Sequence, residues 1–202
     1  MKKILLGSSL FALVACSTVD NPMRISTTLR TQEFNVIITR YMEQATLVSA
    51  EKMPDGKYTL MVRVQTTTAP HARDNPGLPV KAEDSVRFTD VRFSKKNAKD
   101  YVAAIDKFAK WADLAIQRKD LFEKEIGVVP TWAATGSGSL KFTFHSGNDQ
   151  AYYLVITSSS SVKDLGDQAL SFDTANAQEL KRLLQAFAAD SLQKTDINRL
   201  YK

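Results

Sequence analysis

Two stretches of this chain, Phe93 to Tyr101 and Phe172 to Leu180, align without gaps as F-[SD]-x-x-N-A-x-[DE]-[YL]. In each, a phenylalanine closes an alternating segment, Ser94 or Asp173 stands where a helix N-cap belongs, and apolar residues then recur at helical spacing, Ile105 matching Leu184 and Phe108 matching Phe187. A strand that feeds a one-faced helix twice leaves few folds open. Each half exposes an apolar helix stripe and an apolar sheet face, and these must be buried together. The expected class is α+β: an antiparallel β-meander followed by a helix, duplicated into one pseudo-symmetric domain at 31–190, with half-repeats at about 34–126 and 128–190.

The elements around the junctions follow from local pattern. Phe34, Val36 and Ile38 share one face of an expected first strand, and a second is expected at Ala45–Lys52. Pro54-Asp55-Gly56 is a turn, with proline presetting φ and glycine accepting a positive φ, and Tyr58–Thr67 and Val86–Phe93 continue the meander. The first helix carries Ala98, Tyr101, Val102, Ile105, Phe108, Ala109, Ala112, Ala115 and Ile116 on one stripe, with Asp106 and Lys110 spaced for an i,i+4 pair on the other, and should end before Gly127. In the second half Leu140, Phe142 and Phe144 alternate, Ser146–Asp149 turns, Tyr152–Thr157 returns, and Ala169–Phe172 leads into a helix with Ala177, Leu180, Leu183, Leu184, Phe187 and Ala188 inward. Val128–Ser139, rich in Gly, Ser and Thr, reads as a linker between the halves.

The N-terminus carries an address. Met1-Lys2-Lys3 is basic, and Ile4–Ala15 is apolar apart from Gly7, Ser8 and Ser9. Twelve residues make a helix of roughly 18 Å, short of a hydrocarbon core of about 30 Å. The segment ends in Leu13-Val14-Ala15-Cys16, which holds the single cysteine of the chain. This resembles the lipobox of bacterial lipoproteins. The resemblance, which covers residues 1–17, implies a signal peptide at 1–15, cleavage before Cys16, and diacylglycerol plus an N-acyl lipid on Cys16, with no other cofactor expected. Two or three acyl chains make a stable membrane anchor where one does not. Ser17 in place of aspartate implies, by the same resemblance, an outer-membrane lipoprotein facing the periplasm. Residues 16–30 are then the lipidated cysteine and a tether reaching about 45 Å at most, and 191–202 a C-terminal tail.

Cleavage would leave 187 of the 202 residues, enough for one ordinary core without a disulfide. Losing Lys2 and Lys3 lowers the basic count from 27 to 25 against 22 acidic residues, a formal charge of about +3, which gives little support to dedicated nucleic-acid binding.

Chemistry-bearing motifs are sparse. His71, in Pro70-His71-Ala72-Arg73-Asp74, and His145 read as solvated surface residues, since neither has a second ligand at metal spacing. Gly136-Ser137-Gly138-Ser139 has the spacing of neither a nucleophile elbow nor a phosphate loop. The Pro-rich loop 69–84 makes His71, Arg73 and Asp74 candidate binding residues. Trp132 is a further candidate, either as a recognition aromatic or as a plug between the halves. No catalytic or metal residue is expected. The expected role is a non-enzymatic binding or scaffold module, held to the membrane by its lipid and meeting an envelope protein or glycan. A periplasmic hydrolase with its site near loop 69–84 is one alternative. A weak anionic-ligand or single-strand nucleic-acid module is another, because the repeated sheet-then-helix plan is similar to that of whirly-type single-strand-binding domains.

Overall fold

The alternation in the sequence is realised as two antiparallel sheets. The computed structural model describes residues 20–35, 37–66, 87–134, 136–160 and 168–195, and among them ten strands follow in chain order: β1 Asp20–Ile25, β2 Thr31–Asn35, β3 Arg40–Gln44, β4 Thr46–Lys52, β5 Tyr58–Thr66, β6 Arg87–Ser94, β7 Glu123–Ala133, β8 Gly136–Ser146, β9 Tyr152–Ser160 and β10 Gln168–Asp173. Helix α1, Ala98–Arg118, follows β6 through a 3₁₀ turn at Lys95–Asn97, and α2, Thr174–Ala188, follows β10 directly. One sheet has the order β1-β4-β5-β6 and the other β3-β2-β10-β9-β8-β7. The class is α+β, and two units each carry four neighbouring strands ahead of a helix, β1-β4-β5-β6 before α1 and β7-β8-β9-β10 before α2, the first run being interrupted in the chain by β2 and β3, which join the other sheet.

The boundaries differ from expectation where local pattern is weak. Residues 20–30, expected in the tether, belong to the fold: β1 pairs with β4, Leu29 is fully buried, and Arg30 N–H donates to Asn176 Oδ1 at 2.6 Å. The expected linker 128–139 is the tip half of a long hairpin, β7 with β8, whose turn is closed by Gly136 at φ 111°, a conformation that favours glycine. The expected first strand through Ile38 stops at Asn35, whose side chain accepts the N–H groups of Ile37 at 3.0 Å and Ile38 at 3.3 Å and turns the chain. The resulting β2–β3 hairpin joins the second sheet beside β10, so a half-repeat running 34–126 does not coincide with one sheet. Within the expected tail, Leu192 packs on the core and Lys194 bridges to Ile25, so residues up to 195 are docked. Asp106 pairs with Lys181 of α2 at 2.5 Å rather than with Lys110.

The inner faces meet in one core. The stripe of α1 lies on the second sheet, Tyr101 stacked on Phe142 and Phe108 against Phe144, while Phe93 and Phe172, at equivalent places in the two junctions, are both fully buried. The asparagines shared by the two junctions are used differently. Asn97 donates to the Pro130 carbonyl of β7, in the other sheet, at 2.7 Å, whereas Asn176 accepts from Arg30, which directly precedes β2 of its own sheet. The caps are less alike. Asp173 Oδ1 accepts Asn176 N–H at 2.8 Å, whereas Ser94 makes no side-chain capping bond and its N–H donates instead to Tyr101 Oη at 3.3 Å. Asp173→Ala should therefore cost about 1–2 kcal/mol in urea unfolding, and Ser94→Ala clearly less than the usual cap loss of about 1 kcal/mol; equal losses would contradict the difference.

Candidate functional site

Cys16, His71, Arg73 and Asp74 lie outside the described residues, as does the whole 69–84 loop. Trp132 is half-buried near the end of β7, with its side chain close to Asp55 in the β4–β5 turn of the other unit. That contact helps hold the Asp55 carboxyl below its usual range, behind the larger effect of the Lys57 hydrogen bond. Beside it, Thr131 Oγ1 donates to the Arg92 carbonyl of β6. Trp132 thus sits at the junction between the units. His145 is half-buried on the outer face of the second sheet, its Nδ1 at 3.1 Å from Glu123 Oε2 and its ring edge-on to Tyr41.

Tyr41 shows how the β2–β3 hairpin is placed. It stacks on Tyr153 with ring centroids 3.8 Å apart, although β3 stands three strands from β9. In a flat sheet three spacings of about 4.8 Å would separate those strands by roughly 14 Å. The hairpin meets β10 at the single pair Gln32 and Ser171, so it bends across the outer face. Burial raises both phenol pKa values, with Tyr153 adding to the effect on Tyr41 and Asp173 to that on Tyr153.

The described pocket with the most varied chemistry lies where the inner face of the first sheet runs past the end of α2. Asp20, Lys52 and Tyr58 form one cross-strand row at that end of β1, β4 and β5. By strand alternation Ala50, Lys52 and Tyr58 continue the inner face, and Met23 is paired with Ala50. Phe187, Asp190 and Leu192 close the opposite wall, leaving a volume of about 330 Å³. That is at the small end for ligand pockets, which are apolar with a few placed polar groups. Met23, Ala50, Phe187 and Leu192 are the apolar lining; Lys52, Tyr58 and Asp190 are polar. Asp190 is met by Lys95, whose ammonium also stands 5.8 Å over the Phe187 ring. Lys52 has no ion-pair partner among the described residues. The arrangement suits an apolar body with one negative end.

Sequence reasoning missed this site because its walls come from four separate segments, and each residue taken alone looks like an ordinary strand end or helix stripe. Among the described residues no group of three or more His, Cys, Asp or Glu side chains is placed to hold a metal ion, and no helix is long and apolar enough to cross a membrane. Compared with protein-family models, with curated proteins and with solved structures, the chain matches none.

Proposed function

We propose that this chain is a membrane-anchored lipoprotein of the bacterial envelope, tethered through Cys16, facing the periplasm, and acting as a non-enzymatic binding module. The observation that supports it most is the closeness of the folded body to the lipobox cysteine. Only Ser17, Thr18 and Val19 stand between Cys16 and the first residue of β1. Four Cα steps of at most about 3.6 Å give roughly 14 Å of reach, a third of that allowed by a tether to residue 30. A lipid on Cys16 would hold the domain against its membrane, which suits a module that works on partners in or beside the bilayer.

The test is metabolic labelling with a fatty acid bearing a clickable group, followed by membrane fractionation. Wild-type protein should carry label and sediment with membranes. Cys16→Ala should carry none and remain uncleaved or leave the membrane fraction. Equal labelling of the two proteins would refute lipidation at Cys16.

A further inference from the structure

We propose that the pocket between the first sheet and the end of α2 takes an anionic lipid from the membrane surface, with its headgroup on Lys52 and one acyl chain against Met23, Ala50, Phe187 and Leu192. The inference rests on the reading of Cys16 as the lipid attachment site for its geometry, and on the pocket itself for its chemistry.

The geometry follows from the register. Asp20 of β1 is paired with Lys52 of β4, and Lys52 with Tyr58 of β5, so the pocket mouth shares a row with the residue four positions after Cys16. With the chain limited to roughly 14 Å over that interval, no orientation of a lipidated protein removes this end far from the headgroups. The opposite end of the same strands is free to point away. Charge selects the same surface. At this end Lys57 is bonded by Asp55 at 2.7 Å and Lys95 by Asp190, while Lys52 and Lys96 have no ion-pair partner among the described residues. Even with Asp20 in the same row as Lys52, these ammonium groups leave this end with a net positive charge beside a surface that carries negative lipid. Tyr58, half-exposed beside Lys52, has the amphipathic ring that settles at such an interface.

The pocket's own make-up decides between a lipid and a polar solute. Its apolar floor, Met23 and Ala50, is sheet surface that α2 is too short to cover, because the helix stops at Ala188 and the chain turns through Asp190, and Phe187 and Leu192 form the facing wall. A sugar or nucleotide would add no apolar contact to the parts of Met23, Ala50 and Leu192 that the core leaves uncovered. A lipid with a neutral head would leave Lys52 without a counter-charge. An acyl chain ending in a negative group satisfies both.

The experiment uses the full chain mixed with vesicles of equal parts phosphatidylcholine and phosphatidylglycerol. A photo-crosslinking benzoylphenylalanine replaces Tyr58 at the pocket, or, as a control, the similarly exposed Phe34 on the other sheet. After irradiation, mass spectrometry reads the lipid adduct. The pocket position should give phosphatidylglycerol adducts in clear excess over phosphatidylcholine, and the control position should not. Lys52→Glu should lower the phosphatidylglycerol adduct on the order of tenfold, since the attraction of the cation to the anionic surface is lost and the reversed charge adds repulsion. Lys52 is solvent-exposed, so this variant should fold normally; Ala50→Phe, which fills the cavity, is the second variant and should abolish the adduct. Equal yields of the two lipids, no response to Lys52→Glu, or adducts only at Phe34 would overturn the proposal. Because the vesicle assay needs no anchor, an absent adduct in a protein that does incorporate fatty acid defeats the pocket alone. Missing label on Cys16 defeats the anchoring reading alone.

Discussion

Phe144→Ala should lower the free energy of unfolding by about 3–5 kcal/mol, the usual cost of removing a buried phenylalanine. Phe144 projects from β8 with no exposed surface and is ringed by aromatics: Phe122 stacked at 4.6 Å, Tyr152 at 5.5 Å, Phe108 at 5.7 Å and Trp111 edge-on at 6.1 Å. These neighbours come from α1, from the segment before β7 and from β9, so collapse of one wall to fill the cavity would strain the others. The loss is a large share of the 5–15 kcal/mol that stabilises an ordinary domain. It should shift the melting temperature by on the order of 10 °C for a domain of this size. Urea unfolding with an unchanged slope is the measurement, and Phe34→Ala is the control. Phe34 is half-exposed and stacks edge-on with Tyr41 alone among the described rings, so its loss should cost clearly less. Similar costs for the two would mean that the ring cluster around Phe144 is not the centre of the core.

That cluster was legible in the sequence as far as single elements go. Leu140, Phe142 and Phe144 alternate, and Phe108 falls on a helical stripe, so period alone assigns each to an inner face. Asp173 and the Pro54-Asp55-Gly56 turn were legible for the same reason: the chemistry that makes a cap or a turn is carried by two or three adjacent residues. What period cannot carry is pairing between distant segments. β1 shows only Met23 and Ile25 as apolar points around Pro22, and its place is set by the ladder with β4 and by residues 194–195, far along the chain. β7 and β8 looked like linker because their tip is glycine, serine and threonine; tertiary contact at Thr131 and Trp132 overrides that composition. The repeated asparagine was visible as a letter. Its use, Asn97 reaching β7 of the other sheet and Asn176 holding Arg30 before β2, is set by contacts far along the chain. The pocket was the least legible of all, being the edge of a core where one helix ends early.

Arg92→Ala should cost about 3 kcal/mol, near the lower end of the range for breaking a buried ion pair, because Arg92 keeps some contact with water. The reason lies in its partner. Glu51, on β4, is 5% exposed, and its carboxylate has Arg92 Nε at 3.2 Å and the Ser49 hydroxyl at 3.3 Å. Asp90 is less dependent on Arg92, since both its oxygens accept from Arg63 at 2.6 Å. Removing Arg92 therefore strands one negative charge, that of Glu51, in a place water barely reaches. It also uncovers Met61, whose sulfur lies 3.4 Å from the guanidinium. The two effects separate in a double-mutant cycle. Arg92→Met keeps an apolar cover over Met61 but leaves Glu51 without its cation, so it should still cost well over 1 kcal/mol. Adding Glu51→Gln removes the stranded charge while an amide oxygen can still accept from Ser49, and the double variant should regain most of the loss, with a coupling of about 1–3 kcal/mol. The exposed pair Lys57 and Asp55 is the contrast: Lys57→Ala should cost less than about 1 kcal/mol. If Arg92→Met is as mild as Lys57→Ala, or if Glu51→Gln adds to its cost, then packing over Met61 and not charge neutralisation is what Arg92 supplies to this sheet.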